Sequence, residues 1–147
     1  MLKKLNFISI TLGLFIFGIG LAVGNAINFT ATAEAKSNKI FELRTYTTLP
    51  GRLDALNSRF RDHTVDLFER HGMTNIGYFI PQESPLSENT LIYILAHDSR
   101  EAAKESFSNF INDPDWKKAY EDSHRDGFIV ENIESVFMNA TDYSKIQ

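Results

Sequence analysis

The eight residues from Thr90 to His97, TLIYILAH, carry apolar side chains on both sides of any strand they form. Successive side chains of a strand point to opposite faces. Leu91, Tyr93 and Leu95 therefore face one way, and Ile92, Ile94 and Ala96 the other. Both sets need cover. Such a run belongs at the centre of a sheet with something packed on each side, and the rest of the chain must supply that arrangement.

Phe41 to Thr47 alternates Phe41, Leu43 and Thr45 against Glu42, Arg44 and Tyr46, the period-two pattern of a strand. Pro50-Gly51 interrupts it, and the period changes. Leu53, Leu56, Phe60, Thr64 and Leu67 then recur at steps of three and four, which predicts an amphipathic helix ending at His71-Gly72. Met73 to Ile80 reads as a second strand, with Ile76, Tyr78 and Ile80 on one side, and Pro81 to Asn89 as a loop. After TLIYILAH, Asp98 or Ser99 can cap a helix with Ala103, Phe107 and Phe110 inside. Asp113 and Pro114 restart it, and Trp116, Ala119 and Tyr120 continue its buried face. Gly127 closes that segment, and Ile129 to Met138 forms the last strand.

The order is β-α-β twice over. That predicts an α+β fold, a ferredoxin-like βαββαβ antiparallel sheet with its helices on one face. Two helices cover one face only, so the apolar residues of the other face predict a second copy of the chain against it, a homodimer.

Ahead of this unit, Lys3 and Lys4 precede an apolar run from Leu5 to Val23, followed by small residues with Ala31-Thr32-Ala33 and Ala33-Glu34-Ala35. This is the order of a secretory signal peptide. Residues 1–35 are accordingly expected to be removed, leaving residues 36–147 as an exported domain, periplasmic or secreted. The alternative is an uncleaved membrane anchor, since this run of 19 residues, broken only by Asn6, Ser9, Thr11 and glycines, approaches the roughly 20 that span a bilayer. Without residues 1–35, Lys plus Arg falls from 15 to 13 and Asp plus Glu from 19 to 18, so the net charge is −5. With no basic run, nucleic acid is not an expected partner. The chain has no cysteine, which excludes disulfides, Cys-based metal centres and thiol catalysis.

Four phrases carry a resemblance: FELRTYTTLPGRLDALNSRFRDHTVDLFERHGM, NTLIYILAHDSREAA, DPDWKKA and IESVFMNATDYS. In that order and at that spacing, from about Phe41 to Ser144, they resemble the NIPSNAP domain. The resemblance implies a dimeric α/β barrel, a superfamily that includes cofactor-free antibiotic-biosynthesis monooxygenases and haem-degrading enzymes. It implies a fold far better than a reaction. The mitochondrial roles of animal members do not carry over to an exported relative.

Candidate site residues follow from placement. Arg44 and Tyr46 share a strand face with Glu42. Under a covering partner Arg44 and Glu42 would form a buried structural ion pair; facing a cavity, Arg44 could hold a carboxylate bidentately. His63 lies about 60° from the centre of the apolar stripe at roughly 100° per residue. There it could reach a gap between helix and sheet, and its near-neutral pKa suits proton transfer. A surface-edge histidine is the structural alternative. Tyr78 and Trp116 join Arg44 and Tyr46 as candidate ligand contacts, because an aromatic-lined pocket is the default ligand site. His71, just before Gly72, is expected to satisfy the last carbonyls of its helix. His63, His71, His97 and His124 show no metal-binding spacing, and no phosphate loop or nucleophile motif occurs. No metal or cofactor is expected.

Three functions fit: a dimeric barrel binding a small apolar or aromatic ligand; a cofactor-independent monooxygenase-like enzyme using His63 with Arg44 or Tyr46; and a non-catalytic interaction module. An enclosed pocket reaching His63 would favour the first two, and a filled core with no cavity the third.

Overall fold

A computed structural model describes residues 39–146. The expected signal segment, residues 1–35, lies outside them. Among the described residues no helix is long and apolar enough to cross a membrane.

The elements are β1 (Ile40–Thr48), α1 (Leu53–Arg59), a π-helical turn (Phe60–Thr64), α2 (Val65–Arg70), β2 (Thr74–Phe79), α3 (Leu86–Asn89), β3 (Thr90–His97), α4 (Arg100–Asn112), α5 (Pro114–Ser123) and β4 (Val130–Asn139). The four strands form one antiparallel sheet in the order β2-β3-β1-β4. This is the ferredoxin-like arrangement, with β3 in the interior as its two-sided apolar pattern requires.

Local chemistry explains most boundaries. Ser99 caps α4, its Oγ accepting from the Ala102 amide at 3.0 Å, and Asp113 caps α5 by accepting from the Asp115 amide at 2.7 Å. Gly72 ends α2 at φ 79°, a conformation that glycine adopts without strain. The next amide, Met73 N–H, reaches back to the Phe68 carbonyl at 2.9 Å. Two features depart from expectation. The helix after β1 is not uniform, since its middle turn is π-helical. The loop after β2 contains one short helix, α3.

The register assigns the faces. Arg44 pairs with Tyr93 and Ser135, while Leu43 pairs with Ile94 and Val136. Directly paired residues share a face, so Glu42, Arg44, Tyr46, Leu91, Tyr93, Leu95 and His97 lie together. Tyr93 and Leu95 there are fully buried in the core with Leu56, Phe60, Leu67, Phe68 and Phe110. The row Glu42–Arg44–Tyr46 therefore lies beneath the helices. It does not lie on the open face where a partner copy would sit. That open face carries Leu43, Thr45, Ile92 and Ile94, all half-buried, and the exposed Val136.

β2 corrects a second placement. Its pairing with β3 shifts between Asn75 and Gly77. The irregularity inserts Ile76 as an extra residue. Tyr78 consequently pairs with Tyr93 on the helix-covered face, whereas Ile76 lies with Phe41, Ile94 and Met138 on the other.

Candidate functional site

The π-helical turn shapes the interior. Val65 N–H bonds to the Phe60 carbonyl five residues back, and the Thr64 hydroxyl donates to the Arg59 carbonyl at 3.2 Å. Single π turns inside helices are frequent at functional sites. Here the turn brings Arg59, Phe60 and Thr64 to one cavity of about 380 Å³, within the range of small-ligand pockets, about 300–1,000 Å³. Tyr46 from β1, Trp116 and Tyr120 from α5, and His124 also line it. The aromatic wall is continuous. Phe110 and Trp116 rings lie 4.3 Å apart, Trp116 and Tyr120 5.8 Å, and Tyr46 and Phe60 5.8 Å. Phe128, 71% exposed, also belongs to the lining.

Arg59 is the one cation of this wall and is 5% exposed. Its guanidinium lies over Trp116 at 5.2 Å and Tyr120 at 5.6 Å. Among the described residues the single hydrogen bond of its guanidinium is a long one, 3.3 Å to the Ser123 hydroxyl, and its Nε has no acceptor. Among the described residues no carboxylate forms an ion pair with it. Burial therefore lowers its pKa from the ordinary arginine value.

His124 is half-buried in the same lining. Its Nδ1 lies 2.6 Å from the Tyr120 carbonyl, and a carbonyl only accepts, so Nδ1 carries the proton. In neutral His124 this leaves Nε2 as a free base.

A second polar group occupies the opposite end of the same layer. Arg44 donates to Glu42 Oε1 at 2.7 Å, Ser135 donates to the same oxygen at 2.6 Å, and His97 Nε2 donates to Glu42 Oε2 at 3.1 Å. Glu42 and His97 are each 1% exposed. Burial alone would raise the Glu42 carboxyl, but the hydrogen bonds from His97, Ser135 and Arg44, with the Arg44 charge, hold it below its ordinary value. Arg44 also stacks over Phe107 at 4.6 Å. Burial alone would lower its pKa. Tyr46, Tyr93 and Glu42 together raise it instead, and because tyrosines are neutral below pH about 10, Glu42 is the partner that acts at neutral pH. A groove of about 590 Å³ runs beside this cluster, larger in volume but open to solvent, and the arginine at its base is already neutralised.

The four expected ligand contacts are thus divided. Tyr46 and Trp116 line the aromatic cavity. Arg44 is spent on Glu42. Tyr78 is core: its ring packs on Phe60 at 5.8 Å and stacks on Tyr93 at 5.4 Å, and its hydroxyl bonds to Asn75. His63 does not reach the helix–sheet gap. It is exposed in a shallow groove beside Asp62, Asp66 and Asp122, on the solvent side of α5. His71 N–H bonds the Leu67 and Phe68 carbonyls at 3.1 and 3.2 Å, closing its helix as expected, while its Nε2 lies 2.7 Å from Asp113 and ties α2 to the cap of α5. Arg59 and His124 were the residues that periodicity did not single out. The signal available was two aromatics at i and i+4, Trp116 and Tyr120, which mark the helix face that covers Arg59.

The sequence profile of the NIPSNAP family matches residues 41–145. Among solved structures, a NIPSNAP family protein of unknown function from Agrobacterium tumefaciens is similar, with 23% identity and a TM-score of 0.66 over 76% of this chain and 96% of that one. A NIPSNAP-like domain protein from Burkholderia xenovorans is similar at 16% identity and TM-score 0.63, covering 74% of this chain and 90% of that one. A monooxygenase from Streptomyces coelicolor, solved in complex with nanaomycin D, shares the fold at 12% identity and TM-score 0.51, covering 71% and 89%. No curated protein matches this chain.

Proposed function

Because this chain belongs to the NIPSNAP family, whose fold alone names no reaction, we propose from its own side chains that it binds a small aromatic molecule in the cavity between Arg59, Tyr46 and Trp116. The observation that carries this is the cavity itself. It is about 380 Å³ of space inside the aromatic wall of the helix–sheet layer, where a filled core would be the ordinary result. The S. coelicolor monooxygenase, of the same fold, was solved in complex with nanaomycin D, which supports the capacity of this fold to hold a small molecule. The open sheet face with Leu43, Ile92, Ile94 and Val136 is covered by a second copy of the chain, since an apolar face of this kind needs cover. The mature protein is exported as residues 36–147.

Trp116 is the sole tryptophan of the chain and lines the cavity, so its fluorescence reports occupancy directly. Naphthalene-sized aromatics are expected to perturb Trp116 emission saturably, and native mass spectrometry is expected to find a bound small molecule on freshly purified protein. No response of Trp116 to any such aromatic, with no retained ligand, would sink the binding reading. Light scattering showing a monomer at micromolar concentration would remove the dimer. N-terminal sequencing from the native host tests export, an intact Met1 favouring the anchor.

A second reading, a cofactor-independent monooxygenase-like enzyme, is favoured by one observation, the fixed Nδ1–H tautomer of His124. A free Nε2 on the cavity wall could take a proton from a bound phenol. Growth of the naphtholate absorbance band when 2-naphthol binds, lost in His124→Gln, would support it. An unchanged naphthol spectrum on binding would leave a binder without base chemistry.

A further inference from the structure

We infer that the cavity takes an aromatic acid or phenolate, whose anionic oxygen pairs with Arg59 while its ring lies against Trp116 and Tyr120. This rests on the binding reading above and names the chemical class of what binds.

The argument starts from cost. An ionised group withdrawn from water is expensive unless it is paired, and buried charges in folded proteins are paired almost without exception. Arg59 breaks that rule among the described residues. It is 5% exposed, has no carboxylate partner, leaves Nε unsatisfied and makes one long hydrogen bond to a neutral hydroxyl. Stacking on Trp116 and Tyr120 offsets part of the cost. Those ring faces supply no hydrogen-bond acceptor in the plane of the guanidinium, so beyond the long bond to Ser123 the Nε–H edge is left without one among the described residues. A planar anion with two oxygens matches that edge bidentately.

Four carboxylates lie near Arg59. Glu131 lines the cavity, and Asp62, Asp122 and Asp126 line a neighbouring groove that Arg59 also borders, but among the described residues none forms an ion pair with it, and Asp122 is paired with Lys118 and Arg125. The remaining polar lining, Tyr46, Thr64, Tyr120, His124 and Asn132, is uncharged or, for His124, cationic when protonated. A cationic ligand would meet Arg59 directly, and a neutral one would leave the guanidinium as bare as before.

The test uses the full-length protein and a matched pair of probes, 2-naphthoate and 2-naphthamide, followed by Trp116 emission and by calorimetry at neutral pH, where the carboxylate is fully ionised. We expect the acid to bind about tenfold or more tighter than the amide, the usual reach of a charge-assisted bidentate pair. Arg59→Met should remove that preference, bringing the affinity for the acid down to that for the amide. Arg59→Lys should keep part of it, because the charge stays while the planar fork is lost. Glu131→Gln should leave it intact. A thermal melt of each variant checks folding. If amide and acid bind equally to the wild type, the anion assignment fails while the aromatic pocket stands. Loss of the preference in Glu131→Gln would equally overturn it. If neither probe binds, the pocket reading itself fails.

Discussion

Arg44 and Arg59 lie in the same layer, between the sheet and its helices, and both are largely withdrawn from water. Their electrostatic states are opposite. Arg44 meets Glu42 at 2.7 Å, and the pair is closed by Ser135 and His97. Its pKa rises despite burial. Arg59 meets two ring faces and one hydroxyl, and its pKa falls. A buried charge with its counter-charge in place is architecture. One without it is held ready for something that arrives from outside.

The largest effect expected from this contrast is on Arg44. Arg44→Met leaves the buried Glu42 carboxylate with only Ser135 and His97 as polar partners, and breaking one side of a buried pair typically costs about 3–5 kcal/mol. Urea denaturation should show it; a loss below about 1 kcal/mol would mean that Ser135 and His97 hold Glu42 without the arginine.

Glu42→Gln sharpens the same end. It should cost about 2 kcal/mol at neutral pH, the scale of hydrogen bonds to a charged group. The sign of its pH dependence follows from the lowered Glu42 pKa. The stabilisation is complete above the ordinary carboxylate value of 4.5, and is lost as pH falls through the depressed value of the folded state. The stability gap between wild type and Glu42→Gln should therefore be constant above about pH 5 and close in acid. A gap that stays constant well below pH 4 would indicate that Glu42 is not the titrating group.

Arg59→Met should do the reverse of Arg44→Met. Removing an unpaired buried charge is expected to leave the unfolding free energy unchanged or raise it by about 1 kcal/mol, while ligand discrimination disappears. A loss like that of Arg44→Met would show that Arg59 is structural and end the contrast.

The smallest effect belongs to His63. An exposed side chain outside both clusters should change stability by less than about 0.5 kcal/mol when replaced by alanine. Naphthoate binding to His63→Ala should match the wild type; a weakened response of Trp116 would bring His63 back into the site.

The difference between His63 and Arg59 shows where residue patterns stop being informative. On a regular helix His63 lies nearer the apolar stripe than Arg59, at roughly 60° against about 100° from its centre. The structure buries Arg59 and exposes His63. Two causes act together: the helix is π-helical from Phe60, and α5 lays Trp116 and Tyr120 over Arg59 from outside the sheet. Neither leaves a period in the local sequence. Tyr78 fails in the same way, because the β2 irregularity turns it inward by one residue.

The amino-acid sequence by itself determined the α+β order, the central place of β3, the cap at Asp113, a cap at Asp98 or Ser99, and the placing of Glu42 and Arg44 on one strand face. These follow from interactions among residues two to four apart, or from the two-sided burial demand of a single strand, and both are written into local spacing. Which face of the sheet the helices chose, which arginine was left without a carboxylate, and which aromatics enclosed it were decided only by the tertiary structure. Those outcomes depend on segments separated by tens of residues being brought within a few ångströms, and the balance of charge and burial at such a meeting exists only once the layers have packed.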